Sequence, residues 1–275
     1  MAKITRRKVL LAAGAAAVAG AAGIAGFNIL RKRRKNVVFI IADAARYDLV
    51  GRKGPGGKSL TPFIDSQAAR GAVYTNNLSA SSWTLPSVAG LMSSRNPIIT
   101  RETYSESYAN GATTMAEAFA ANGYFTCAVV KNPWLPIRTA TGEALPMVVT
   151  KGFAKYVPGG VKLEPNPLFE QGIGQREEFV RFPRAEMAVD EAKVTLALRR
   201  AGEPFFLYMH FMNTHEPYSP SPSDMSIADA MAAPVEGVPD YMIFKVLRHR
   251  AELRGKEGLE EEDAGLMARA KALYA

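Results

Sequence analysis

Asn36-Val37-Val38-Phe39-Ile40-Ile41-Ala42 is an unbroken apolar run rich in β-branched side chains, and Asp43 ends it. A strand with one wet face alternates apolar and polar residues, whereas an unbroken run marks a strand buried on both faces of a parallel sheet. Working outward, Thr61-Pro62 opens an expected helix that runs to Arg70 and stops at Gly71, with Thr as cap and Pro in the first turn. A short strand is expected over Ala72 to Thr75, a helix over Pro86 to Ser94, and another over Thr114 to Asn122, closed by Gly123. Tyr124 to Val130 reads as a second buried strand, Ala185 to Arg200 as an amphipathic helix and Pro204 to Phe211 as a third strand. Residues 133–183 are rich in Pro and Gly without a clear period and read as a long surface excursion. The tail from Asp240 is charged and helical. Strands alternating with helices predict an α/β fold, a three-layer α/β/α sandwich around a mostly parallel central sheet.

The formal charge of +8 points toward nucleic acid only until it is located. Residues 1–35 hold nine of the 34 Lys and Arg and none of the 26 acids, so 25 basic residues face 26 acidic ones in the remainder. The globular part is near neutral and its charge gives no support for nucleic-acid binding. Cys127, the one cysteine, lies inside an apolar run and reads as a buried core residue; neither a disulfide framework nor a thiolate metal cluster can be built.

The first 35 residues read as an address, separate from a globular part over residues 36–275. Thr5-Arg6-Arg7-Lys8-Val9-Leu10-Leu11 resembles a twin-arginine export signal, which implies the twin-arginine export machinery as a partner. From Val9 to Leu30 no charge appears, a length that can span a bilayer, although 13 of those 22 residues are Ala or Gly. Arg31 to Lys35 would hold an uncleaved helix at the membrane surface. The expectation is a protein exported and anchored in the membrane through residues 9–30 facing outward, or periplasmic or extracellular if a site near Gly26 is cleaved.

In open α/β sheets ligands bind beyond the carboxyl ends of the strands, so polar residues that stop apolar strands are the candidates for chemistry. Asp43 ends the first run, Lys131 ends Cys127 to Val130, and His215 follows the run Phe205 to Met212. A carboxylate there can hold a hard divalent cation, and a cationic side chain and an imidazole can grip the oxygens of an anionic ester. The competing roles are a turn cap for Asp43, a solvated Lys131 and a loop-bonded His215. Thr84, in Ser81-Ser82-Trp83-Thr84-Leu85-Pro86-Ser87, stands near the positive end of the expected helix. Its bland role is a helix cap worth about 1 kcal/mol. All four are expected to line one cleft, with the Asp43 and Thr84 oxygens within roughly 5 Å, close enough to share a cation.

These residues resemble the sulfatase family of the alkaline-phosphatase-like superfamily. The resemblance rests on Asn36 to Asp48, Thr61-Pro62-Phe63-Ile64-Asp65, Gly71-Ala72-Val73-Tyr74, Trp83-Thr84-Leu85-Pro86-Ser87, Phe205 to Tyr208, and Thr214-His215-Glu216-Pro217-Tyr218. It implies an alkaline-phosphatase-like fold and a metal-dependent hydrolase or transferase acting on sulfate or phosphate esters. Asp43 and Thr84 would bind a calcium, magnesium or manganese ion, Thr84 would be the nucleophile, and Lys131, His215 and Arg46 would meet the substrate. Thr84 stands where sulfatases carry the cysteine converted to formylglycine, and Val88 where they carry an arginine, so no formylglycine is expected. Ala44 replaces a frequent second aspartate, and no later strand ending in Asp-His or Asp-Asn is found. The expectation is therefore a fold incomplete at its C-terminus, with little activity in these 275 residues; the alternative is a non-catalytic fragment that binds anions at most.

Overall fold

The structure is a computed structural model and describes residues 34–96, 112–133, 135, 149–160, 162–173, 176–216, 225, 228–229, 232–253 and 263–274. The expected signal and membrane segment lie outside the described residues, among which no helix is long and apolar enough to cross a membrane.

The apolar runs become a four-stranded parallel sheet. Strands β1 (Val37–Ala42), β2 (Phe125–Val130), β3 (Lys155–Pro158) and β6 (Phe205–Phe211) lie in the order β1-β6-β2-β3. The register sets Ile41 and Val130 both beside His210, so three carboxyl ends finish level along one edge. Helices α2 (Thr84–Ser93) and α3 (Met115–Ala121) cover one face, burying Leu85, Val88, Ala89, Met92 and Ala116 against Ala128, Val130, Phe206 and Tyr208. Helix α4 (Ala185–Leu196) covers the other, seating Ala188 and Ala192 on Cys127, Val129, Leu207 and Met209. Each buried Val, Leu, Met or Phe among them contributes about 1.5–3 kcal/mol. Helices α5 (Ile243–Leu253) and α6 (Ala264–Tyr274), expected from the charged tail, pack with Leu168 and Ile173 in a separate cluster.

Cys127 is fully buried, and burial pushes its thiol up to about 11, the inert core residue its surroundings in the sequence indicated. Helix α3 starts at a capping box, Thr114 Oγ1 accepting from Glu117 N at 3.0 Å and Glu117 Oε2 from Thr114 N at 2.9 Å. Gly152 sits at φ +87°, where a Cβ would overlap the Glu117 backbone.

Three expectations need correction. Strand β1 is not buried on both faces: Val37, Phe39 and Ile41 pack inward, but Val38 and Ile40 are 51% and 53% exposed. The reason is position, since β1 is the sheet's edge and α4 reaches only β2 and β6. Residues 72–75 form no strand; Val73 and Tyr74 are exposed, and a strand without a partner edge has no ladder to join. The stretch 133–183 is more regular than its composition indicates. It holds β3, which extends the main sheet, and an antiparallel pair, β4 (Lys162–Pro165) with β5 (Glu177–Arg181). Strands of four or five residues are too short for a period to declare itself.

Candidate active site at the carboxyl edge of the sheet

Each strand alternates its side chains between the two faces, and this parity selects the site. On β1 the inward residues are Val37, Phe39 and Ile41, so Asp43 follows onto the α2 face. On β6 the same face carries Phe206, Tyr208 and then His210; on β2 it carries Ala128, Val130 and then Asn132. The three meet at one carboxylate oxygen: His210 Nε2 lies 2.9 Å and Asn132 Nδ2 also 2.9 Å from Asp43 Oδ2. Thr84, the first residue of α2, donates its hydroxyl to the same carboxylate, 3.2 Å from Oδ2 and 3.4 Å from Oδ1. Asp43 and Thr84 are thus as close as a shared cation requires.

Thr84 is not the helix cap. Trp83 holds that position in an extended conformation without a side-chain capping bond, which leaves the Thr84 hydroxyl for Asp43. The approach to α2 is tied by serines: Ser87 Oγ donates to the Ser81 carbonyl at 3.0 Å, and Ser79 Oγ to the same carbonyl at 2.7 Å. Asp43 is fixed from its backbone as well. Its N–H continues the ladder to Phe211 O at 2.9 Å, and its carbonyl accepts from Thr214 Oγ1 at 2.7 Å. The next residue, Ala44, turns the chain with φ +59°, a left-handed conformation that costs an alanine about 1–2 kcal/mol.

The electrostatics follow from this packing. Burial alone would raise the Asp43 pKa, but the hydrogen bond and attraction of His210, the hydrogen bond of Asn132 and the attraction of His215 outweigh it. The carboxyl is held below its ordinary range. A carboxylate that weakly basic orients the Thr84 hydroxyl and does not take its proton.

Of the residues singled out in the sequence, Asp43 and Thr84 are brought together and His215 stands close enough for its charge to be felt at Asp43. His215 Nδ1 lies 2.6 Å from the Glu216 carbonyl oxygen, and its ring meets Phe182 edge-on. Lys131 goes elsewhere. It follows Cys127 and Val129 onto the opposite face, where its buried ammonium pairs with Glu191 of α4, so it does not join the Asp43 cluster. Arg46 is exposed and makes a two-pronged pair with Asp48, at 2.8 and 2.6 Å, on the turn after β1. Three further residues of the cluster were not singled out in the sequence. Asn132 is one position past Lys131, and Tyr208 and His210 are the only side-chain hydrogen-bonding groups in the apolar run of β6, two apart and hence on one face.

For a divalent metal, the donors fit in kind. A carboxylate and a hydroxyl converge, the hard oxygen chemistry that calcium, magnesium and manganese take, while Asn132 turns its amide N–H to Asp43. They fall short in number, since the cluster has one anionic ligand and no group of three or more His, Cys, Asp or Glu side chains is placed for a metal among the described residues.

A sulfatase family model matches residues 35–230, from just before β1 to beyond β6. No curated protein sequence matches the chain. Among solved structures, the phosphonate monoester hydrolase of Agrobacterium radiobacter is similar at TM-score 0.52 and 17% identity, over 88% of this chain and 56% of that one. A protein solved in complex with its substrate D-glucosamine-2-N,6-O-disulfate is similar at TM-score 0.51 and 18% identity, over 87% of this chain and 53% of that one. At such identities the likeness shows the fold, and the chain spans little more than half the length of either structure. A match of this extent, covering the sheet and the cluster at its carboxyl edge, places the chain in the sulfatase family.

Proposed function

We propose that the protein is a metal-dependent enzyme that cleaves or transfers a sulfate or phosphate ester, with Thr84 as its nucleophile. The observation that carries this reading is the Thr84 hydroxyl 3.2 Å from Asp43 Oδ2, at the start of a ten-residue helix and the carboxyl edge of a parallel sheet. Negative charge developing on an ester oxygen is favoured beside a helix N-terminus. Asp43 and Thr84 would hold the cation, and the Asn132 amide N–H holds the Asp43 carboxylate. When bound, the cation would supply the positive charge that makes a threonine hydroxyl a nucleophile at neutral pH. Asp43 directs the hydroxyl, and His215 is the group on the following loop that would meet an ester oxygen.

Threonine in this place cannot become formylglycine, which favours phosphate or phosphonate esters over sulfate, and a covalent threonine ester as intermediate. We read residues 36–275 as belonging to the catalytic domain, and residues 1–35 as a twin-arginine-type signal or anchor that carries it outward across the membrane. The second reading, a fold that keeps an anion pocket without turnover, rests on the single carboxylate of the cluster.

The test uses the 275-residue chain with manganese, magnesium or calcium and generic phosphodiester, phosphonate and sulfate ester substrates. Metal-dependent turnover that disappears in Thr84→Ala, with a phosphoryl or sulfuryl group recovered on the Thr84 peptide, supports the enzyme reading. Turnover that survives Thr84→Ala refutes the assignment of the nucleophile.

A further inference from the structure

Behind Asp43 the cluster continues into the core. Tyr208 OH lies 2.6 Å from His210 Nδ1, and His210 Nε2 lies 2.9 Å from Asp43 Oδ2, so a relay runs from a phenol through an imidazole to the carboxylate. Both aromatic side chains are fully buried, and among the described residues the Tyr208 hydroxyl has His210 as its one hydrogen-bond partner. We propose that Tyr208 and His210 are positioning residues: Tyr208 O–H donates to His210 Nδ1, His210 Nε2–H donates to Asp43, and this lock fixes the Asp43 carboxylate in the orientation that receives Thr84 and a cation. The proposal rests on the reading of Asp43 and Thr84 as catalytic groups.

The direction of the two hydrogen bonds follows from exclusion. If Nδ1 carried the imidazole proton, the phenol's own proton would be buried without an acceptor, which costs about 1–3 kcal/mol. The Nε2 lone pair would also face a carboxylate oxygen at 2.9 Å, an arrangement with no proton between two acceptors. If both nitrogens carried protons, the phenol's proton would again be stranded. Burial raises the Tyr208 pKa well above its ordinary value, so the phenol keeps that proton and donates it. Only one arrangement satisfies every group: Tyr208 O–H donates to Nδ1 and Nε2–H donates to Asp43. In that state His210 has no lone pair to offer a cation, which separates its role from that of a ligand. Partners that orient a metal-binding carboxylate are worth about 10–100-fold in metal affinity.

Nitrogen-15 NMR of the imidazoles reads the tautomer directly in the metal-free, full 275-residue chain, and needs no turnover. The expected result is an Nε2–H tautomer for His210, assigned by its loss in His210→Gln. An Nδ1–H tautomer or an imidazolium at neutral pH would overturn the lock. The second measurement is manganese binding followed by electron paramagnetic resonance. Gln places its amide N–H close to where Nε2–H stood, so His210→Gln should stay within about threefold of the wild type. Tyr208→Phe and His210→Leu should lose about tenfold or more. If His210→Leu does not fold, Tyr208→Phe decides, because it keeps the ring packed against Phe39 and Phe153 and deletes only the hydroxyl. Unchanged manganese affinity in a folded Tyr208→Phe overturns the positioning role. If instead Thr84→Ala keeps its turnover while the tautomer and affinities behave as expected, the nucleophile assignment fails and the lock stands.

Discussion

Asp43 and Arg269 are both charged groups held largely out of water, and they are compensated in opposite ways. Arg269, fully buried in the C-terminal helical cluster, meets formal charge: Asp240 at 2.7 Å, Asp229 at 2.7 Å, and the Ala232 carbonyl at 2.7 Å. Asp43 is met by hydrogen-bond donors, the amide of Asn132, the hydroxyl of Thr84 and the imidazole of His210. The first arrangement cancels its charge internally and joins Ala232, Asp240 and α6 into one unit. The second satisfies hydrogen bonds but leaves a net negative charge at the mouth of the sheet. A buried ion pair therefore reads as structure here, and a carboxylate held by hydrogen-bond donors and nearby imidazoles reads as a place for a cation.

The comparison can be broken at its strongest point first. Thr84→Ala should reduce turnover by more than about a thousandfold, as removal of a covalent nucleophile does. Its thermal unfolding should stay within about 1 kcal/mol of the wild type, since the hydroxyl caps nothing. A variant that loses stability and activity together would make Thr84 a structural residue.

Next in size is the contrast between the two charges. Arg269→Met should cost about 1.5–3 kcal/mol on chemical denaturation, because it removes charge-assisted bonds to Asp240 and Asp229 and leaves the Ala232 carbonyl without its donor. Asp43→Asn should cost no more than about 1 kcal/mol, because the amide keeps an acceptor for His210 and Asn132. The same variant should abolish manganese binding. Equal losses of stability at both positions would erase the distinction.

Acid sharpens it further. Asp43 has a folded pKa below its unfolded one, so its ionised form adds stability above the ordinary carboxylate range, and this is lost as pH falls through the folded value. The stability gap between wild type and Asp43→Asn should be constant near neutral pH and narrow below about pH 4. A gap that widens in acid would mean that the carboxyl's folded pKa is raised. The smallest effect belongs to Ala44→Gly, which relieves the left-handed backbone at φ +59° and should stabilise the fold by up to about 1 kcal/mol.

The sheet was legible because strands of a parallel sheet are commonly written as largely apolar runs, plain at residues 37–42, 125–130 and 205–211, although the first of them is buried on one face only. The same property hid the details of the site. With both faces apolar, Val129 and Val130 look alike in sequence, and nothing local says that Lys131 turns toward α4 while Asn132 turns toward Asp43. Asp43 and Thr84 were legible because a strand end and a helix start are local features. His210 was not, because a histidine inside a strand acquires meaning only from the strand beside it.

By itself the sequence determined the three central strands β1, β2 and β6, the polar residues Asp43 and Lys131 that follow two of them, and that a threonine stands near the start of a helix after the first. Those are consequences of period, burial and turn chemistry along the chain. Tertiary structure alone decided which strand lies at the edge, leaving Val38 and Ile40 exposed, and which of two neighbouring side chains at the end of β2 enters the site. Register and facing are relations between segments that are far apart in the chain. A shift of one residue exchanges every inward side chain for an outward one at almost no cost in local preference, so only the packed sheet could choose Asn132 over Lys131.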